Sequence, residues 1–145
     1  MATRSTIALE FADGTVQQVY CHWDGYLDHN GQILRDHYSD PFKLRALIDL
    51  GDLSSLAPNI GNQHAFDKAP EGECTFYMRD RGEDGCEARK FKDFQEYTRE
   101  ANFEEYDYIL RNVNGKAQWF VQFYGTDGEY LTLEEAFEMR MGEEA

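Results

Sequence analysis

Two dipeptides, Asp13-Gly14 and Asn114-Gly115, constrain this chain more than any other feature of its sequence. Each stands between two β-rich runs: "STIALEF" and "TVQQVYCH" around the first, "YDYILRNV" and "KAQWFVQFY" around the second. A two-residue hairpin needs positive φ in its turn, which Gly, Asn and Asp tolerate best. The sequence therefore predicts two antiparallel hairpins, one near each end of the chain. Ile7, Leu9 and Phe11 fall on one face of the first strand. Ala117, Trp119, Val121 and Phe123 alternate with Gln118 and Gln122, the pattern of a sheet with one buried face.

Helical signals fill the space between. "NGQILRDHY" (Asn30–Tyr38) reads as a short helix with Ile33, Leu34 and His37 on one side. Asp40-Pro41 starts a second, with Asp40 as cap and Pro41 at the first helical position. Its apolar side is Phe42, Leu44, Leu47, Ile48 and Leu50, and Gly51 ends it. Residues 59–72 read as a long polar loop. Cys74–Arg79 and Cys86–Phe91 read as paired strands around the turn-like "DRGEDG". Asp93 caps a helix to about Ala101, and Thr132 with Glu135 forms a capping box before a terminal helix. No repeat or linker divides residues 1–145. The expected fold is one α+β domain, mainly an antiparallel sheet of about six strands with three or four helices packed on one face.

Composition limits the function classes. Hydrophobic residues make up 41% of the 145, so a real core is expected despite the charge. No apolar run approaches a membrane span. "MATRSTIALEFADG" lacks a charged start followed by an apolar block, so no signal peptide is predicted and the cytoplasm is expected. Cys21, Cys74 and Cys86 are odd in number and widely spaced, which favours reduced, mostly buried thiols over a disulfide framework or zinc ribbon. Twenty-eight acids against 14 bases give a net charge of −14. That sign repels nucleic acid and anionic membranes and favours basic partners. Acidity also simply keeps a small protein soluble.

Three readings of candidate chemistry follow. Glu96, Glu100, Glu104, Glu105 and Asp107, then Glu134, Glu135, Glu138, Glu143 and Glu144, would form a negative face. Carboxylates so spaced imitate a phosphate ladder and fit a basic groove on a partner protein. The second reading starts from the scarce cations. Arg79 and Arg81, with His22, Asp24 and Tyr26, would bind a small anionic ligand of nucleotide type, since arginine forks suit phosphate; internal pairing with Asp80, Glu83 and Asp84 is the plainer account. The third is a metal-dependent hydrolase built on His22, Asp24, Asp28, His29, Asp36, His37 and Asp40. It lacks every strong spacing, and Asp24-Gly25 and Asp40-Pro41 already serve a turn and a cap. No cofactor and no catalytic residue is predicted.

The patches "TRSTIA" (Thr3–Ala8), "CHWDGY" (Cys21–Tyr26), "GDLSSL" (Gly51–Leu56) and "RDRGED" (Arg79–Asp84) carry one resemblance. Over roughly the first two thirds of the chain it resembles a group of small tailed-bacteriophage accessory proteins. The resemblance implies expression in an infected bacterial cytoplasm and antagonism of a host factor, including nucleic-acid-based defences. With the charge, it favours the first reading: non-catalytic binding of a host protein with a basic, nucleic-acid-binding surface, without direct contact to nucleic acid or membrane.

Overall fold

The computed structural model describes residues 2–144, and the side chains of residues 2–139. The chain forms one α+β domain around a mixed sheet of eight strands. β1 (Ser5–Glu10) and β2 (Val16–Cys21) form the first hairpin, and β6 (Tyr106–Val113) and β7 (Lys116–Phe123) the second. Gly14, Asn114 and Gly115 have the positive φ those turns require. The two hairpins join through β1 and β6, which run parallel with Ser5 opposite Tyr106 and Leu9 opposite Leu110. β3 (Leu53–Ser55) and β4 (Thr75–Phe76) extend one edge, and β8 (Leu131–Thr132) ends the other. β5 (Arg89–Phe91) pairs antiparallel with β2 beside β3.

The hairpin proposed between residues 74–79 and 86–91 does not form. After two strand residues the chain turns into α3 (Tyr77–Arg81), which ends at Gly82 in the left-handed conformation. Two strongly bonded neighbours decide this. The Asp80 carboxylate accepts from the Phe76 amide at 2.8 Å, and β2 offers a longer ladder to residues 89–91.

The remaining helices are α1 (Gln32–His37), entered through a single π-turn at Leu27–Gly31, α2 (Pro41–Ile48), α4 (Phe94–Glu100) and α5 (Leu133–Glu144). Three predicted caps are present. Asp40 accepts from the Phe42 amide, Asp93 accepts from the Glu96 amide, and Thr132 and Glu135 exchange side-chain and backbone bonds.

Helices cover both faces of the sheet rather than one. Ile7 and Leu9 pack with Leu34, Leu44, Leu47, Ile48, Leu133 and Phe137 from α1, α2 and α5. Ala8, on the opposite face of β1, packs with Val16, Ile109 and Tyr97 of α4, walled by Phe91, Phe94, Phe103, Phe120 and Tyr130. β1 is thus buried on both sides, which a simple alternating pattern does not announce. Two apolar assignments also shift. His37 is exposed, and Phe42 is 85% exposed because α2 turns only Leu44, Leu47 and Ile48 inward.

Residues 59–72 form the predicted loop, and it is tied down along its length. Its ends close through Asn59 and Gly72, and its middle is pinned by α3. Arg79 donates to the carbonyls of Ile60, Gly61 and Cys74 and to Asp80. Asp80 also accepts from the His64 amide at 3.1 Å. Burial alone would raise the Asp80 carboxyl, but the bonds from Arg79 and the Phe76 and His64 amides outweigh it and hold the group below its ordinary range. Both His64 ring nitrogens face carbonyl oxygens, of Ala65 at 2.8 Å and Cys74 at 3.0 Å, which pushes its pKa up. Substituting Asp80→Ala leaves the guanidinium and two amides without their acceptor. Equilibrium urea unfolding is expected to show a loss of about 3 kcal/mol.

Candidate functional site

The segment from Cys21 to Asp40 is a folded turn. Asp24 takes a positive φ of 58°, and the Asn30 amide donates to its carbonyl. Gly25 is required by close approach, since a Cβ there would lie 2.6 Å from that of Ser5. Asn30 is fully buried and donates to Ser5 Oγ, the Trp23 carbonyl and Cys21 Sγ. His22 Nδ1 bonds the Tyr20 hydroxyl at 2.7 Å, and its ring meets Trp23 edge-on. Among the described residues no three His, Cys, Asp or Glu side chains are grouped as a metal ion requires. Cys21 and Cys74 are buried and Cys86 half-buried, all unpaired; burial pushes the Cys21 thiol up to about 12.

The arginines proposed for an anionic ligand have different situations. Arg79 is spent on Asp80 and loop carbonyls. Arg81 is half-exposed, stacked on Phe66 and Tyr77 at 4.7 and 5.3 Å and paired with Glu83. Tyr26 lines a separate recess that neither arginine lines. The internal pairing with Asp80 and Glu83 is therefore what these arginines do, and the recess that Tyr26 lines is lined by none of His22, Asp24, Arg79 and Arg81.

The acidic residues divide between the two faces. Glu96 and Glu100 belong to α4, over the Ala8 face, while Glu134, Glu135 and Glu138 belong to α5, over the Ile7 face. Several have local tasks. Glu96 accepts from the Lys92 amide, Glu100 pairs with Arg99, and Glu135 belongs to its capping box. Glu104 lines a small polar recess with Asp52 and Arg89, and Glu105 accepts from the Arg4 amide. The side chains of Glu143 and Glu144 lie outside the described residues.

Asp107 is not a surface acid. It is 2% exposed, facing Thr6 across the β1–β6 pairing, and it accepts from Thr6 Oγ1 at 2.7 Å and the Glu104 amide at 3.0 Å. The strand period turns it under α4, which the run "FEEYD" does not reveal. Burial raises its pKa from 3.8 to about 6. With the folded value above the unfolded one, its contribution to stability is complete below pH 3.8 and is lost as pH rises through about 6. Asp107→Asn removes the charge. Denaturation midpoints are expected to place this variant about 1–2 kcal/mol above wild type at pH 7.5, with the gap closing towards pH 4.

An aromatic recess lies elsewhere, at the end of the sheet where β6 begins and β7 ends. It has a volume near 230 Å³ and is lined by Tyr26, Leu27, Asp28, Tyr106, Phe123, Tyr124, Gly125 and Met139. Its back wall is a stack: Tyr106 lies 12° from parallel to Tyr108 and 27° from Phe123. Tyr108 is fixed by its hydroxyl, which donates to the Gly25 carbonyl at 2.7 Å. Tyr26 and Tyr124 form the rim and are 40% and 99% exposed. Tyr124 is held outward by a turn that Thr126 closes, its hydroxyl donating to the Phe123 carbonyl and accepting from the Phe123 amide. Sequence reasoning named only Tyr26 of these rings as a site residue and read Phe123 as part of the buried face. The available signal was Tyr124, an aromatic that follows the alternating strand where a turn begins.

Comparison with protein-family models, curated proteins and solved structures returned no match. No helix among the described residues is long and apolar enough to cross a membrane.

Proposed function

We propose that this protein is a non-catalytic binding protein that antagonises a host protein in an infected bacterial cytoplasm by occupying that protein's basic, nucleic-acid-binding surface. The observation that carries the reading is the aromatic recess with Asp28 in its lining, set in a chain of net charge −14. Exposed aromatics supply contact area at low entropic cost, and the surrounding charge steers a basic partner towards them. Glu105 stands next in sequence to Tyr106, whose hydroxyl is pushed up by burial first and by the Glu105 carboxylate second. In this reading the centre of binding is one sheet end instead of a continuous acidic face. The resemblance to phage accessory proteins supports the host-directed role.

The test is capture of bacterial proteins on the immobilised chain at 50 and 500 mM salt. A nucleic-acid-binding protein retained at low salt and released at high salt, and unable to bind nucleic acid while captured, is the expected result. Glu105→Lys with Asp28→Lys should cut that retention about ten-fold. Retention that ignores both salt and the charge reversals overturns the reading.

A second reading, a nucleotide-type ligand, is favoured by one feature, the half-exposed Arg81 guanidinium over the rings of Phe66 and Tyr77. It predicts a nucleotide-induced rise in melting temperature that Arg81→Ala abolishes, and no rise in wild type removes it.

A further inference from the structure

We infer that the loop of residues 59–72 is a strap that His64, protonated on both ring nitrogens, fastens to the chain at the start of β4. Loss of one ring proton loosens it. The inference goes beyond the binding reading and does not depend on it. His64 lies in the loop with its side chain 8% exposed. Its Nδ1 stands 2.8 Å from the Ala65 carbonyl oxygen and its Nε2 3.0 Å from that of Cys74. A carbonyl oxygen can only accept, and a neutral imidazole carries one N–H. Both bonds therefore exist together only in the imidazolium, where each ring nitrogen donates.

The groups around the ring agree with that state. From α3, Asp80 Oδ2 lies 3.5 Å from His64 Nε2 and favours the cation, while the Arg79 guanidinium opposes it. The strand side presents the Cys74 carbonyl, and the Cys74 thiol is turned to the Ala57 amide and the Tyr38 hydroxyl. The Glu73 carboxylate accepts from the Asn62 amide. The two carbonyls, with Asp80 in support, outweigh burial and Arg79, so the ring titrates above its ordinary 6.5. With the folded value raised, the fastening is complete below pH 6.5 and is lost as pH rises through the folded value.

The remaining ties are of other kinds. Arg79 donates to the Ile60 and Gly61 carbonyls, and Phe66 packs on the Tyr77 ring at 5.6 Å. Arginine stays protonated in proteins, and a ring contact has no proton to lose. Gly61 and Gly72, near the two ends, have φ of 72° and 78°, a region open to glycine. Release at His64 therefore loosens the middle of the loop, while its ends stay joined through Asn59 and Gly72.

The experiment follows the full chain from about pH 5.5 to about pH 9.5, the range in which histidine changes charge. It reads the His64 ring nitrogens by NMR, and amide hydrogen exchange of residues 59–72 corrected for the intrinsic effect of pH. At about pH 6 both ring nitrogens are expected to carry protons. As the ring loses one, protection of the Asn62 and His64 amides should fall about ten-fold relative to the Ile7 and Leu9 amides in the core. His64→Gln has no ring to titrate, so its loop should keep one relative protection level across the range. A neutral ring at about pH 6, loop protection that ignores the ring titration, or a His64→Gln loop that follows the wild-type profile overturns the strap. Should His64→Gln fail to fold, the wild-type curves still decide, since ring and loop must share one midpoint.

Discussion

The parallel pairing of β1 with β6 is the contact on which the rest of this structure depends. Each hairpin can form from local sequence, but neither can bury both faces alone. Joined through residues 5–9 and 106–110, they make one sheet with a core on each side. Side chains fix the register. Thr6 donates to Asp107 directly opposite, and Arg111 donates to Glu10 at the end of the pairing. A slip by one residue would move Ile7 and Leu9 from their core to the face of Ala8. It would also strand the Asp107 carboxylate away from its hydroxyl.

That junction also builds the recess. Tyr106 begins β6 opposite Ser5, and its neighbour Tyr108 ties the sheet to the turn through Gly25. Gly25 in turn donates its amide to the Thr3 carbonyl, so the chain before β1, the turn and β6 are fastened together. The π-turn that follows widens the entry to α1 and leaves Tyr26 and Asp28 at the rim. Single π-turns recur at functional sites because they re-aim side chains without ending the helix. The same contacts that stabilise this end of the sheet therefore hold its exposed aromatic rings in place.

The opposite face has another logic. Asp52 is buried, accepts from the Tyr20 amide and is bidentate with Arg89, so β2, β3 and β5 meet on one carboxylate. Around it sit Glu104 and the side chains of Thr6 and Gln18, which are engaged with Asp107 and the Asn102 carbonyl. Much of the scarce positive charge is used in this internal way, by Arg79, Arg89 and Arg111. Each such pair cancels one acid with one base, so the net charge of −14 is carried by the remaining acids.

Local chemistry was readable directly. Asp13-Gly14 and Asn114-Gly115 announced the hairpins, Asp40-Pro41 and Asp93 the helix starts, and Thr132 with Glu135 the last cap. These signals act within a few residues, so the chain's order exposes them. Where tertiary partners compete, the reading failed: residues 74–79 have strand-forming side chains, yet Asp80 draws the Phe76 amide and a helix begins. Asp107 looked like one acid in a run, but strand parity and α4 bury it. The recess was illegible for the same reason, since Tyr26, Tyr106, Tyr124 and Met139 lie far apart in sequence. By itself the sequence determined the turns, the caps, the alternating strand and the charge. The pairing of distant strands decided which carboxylates reach water and which rings meet, because register and facing depend on contacts a hundred residues apart.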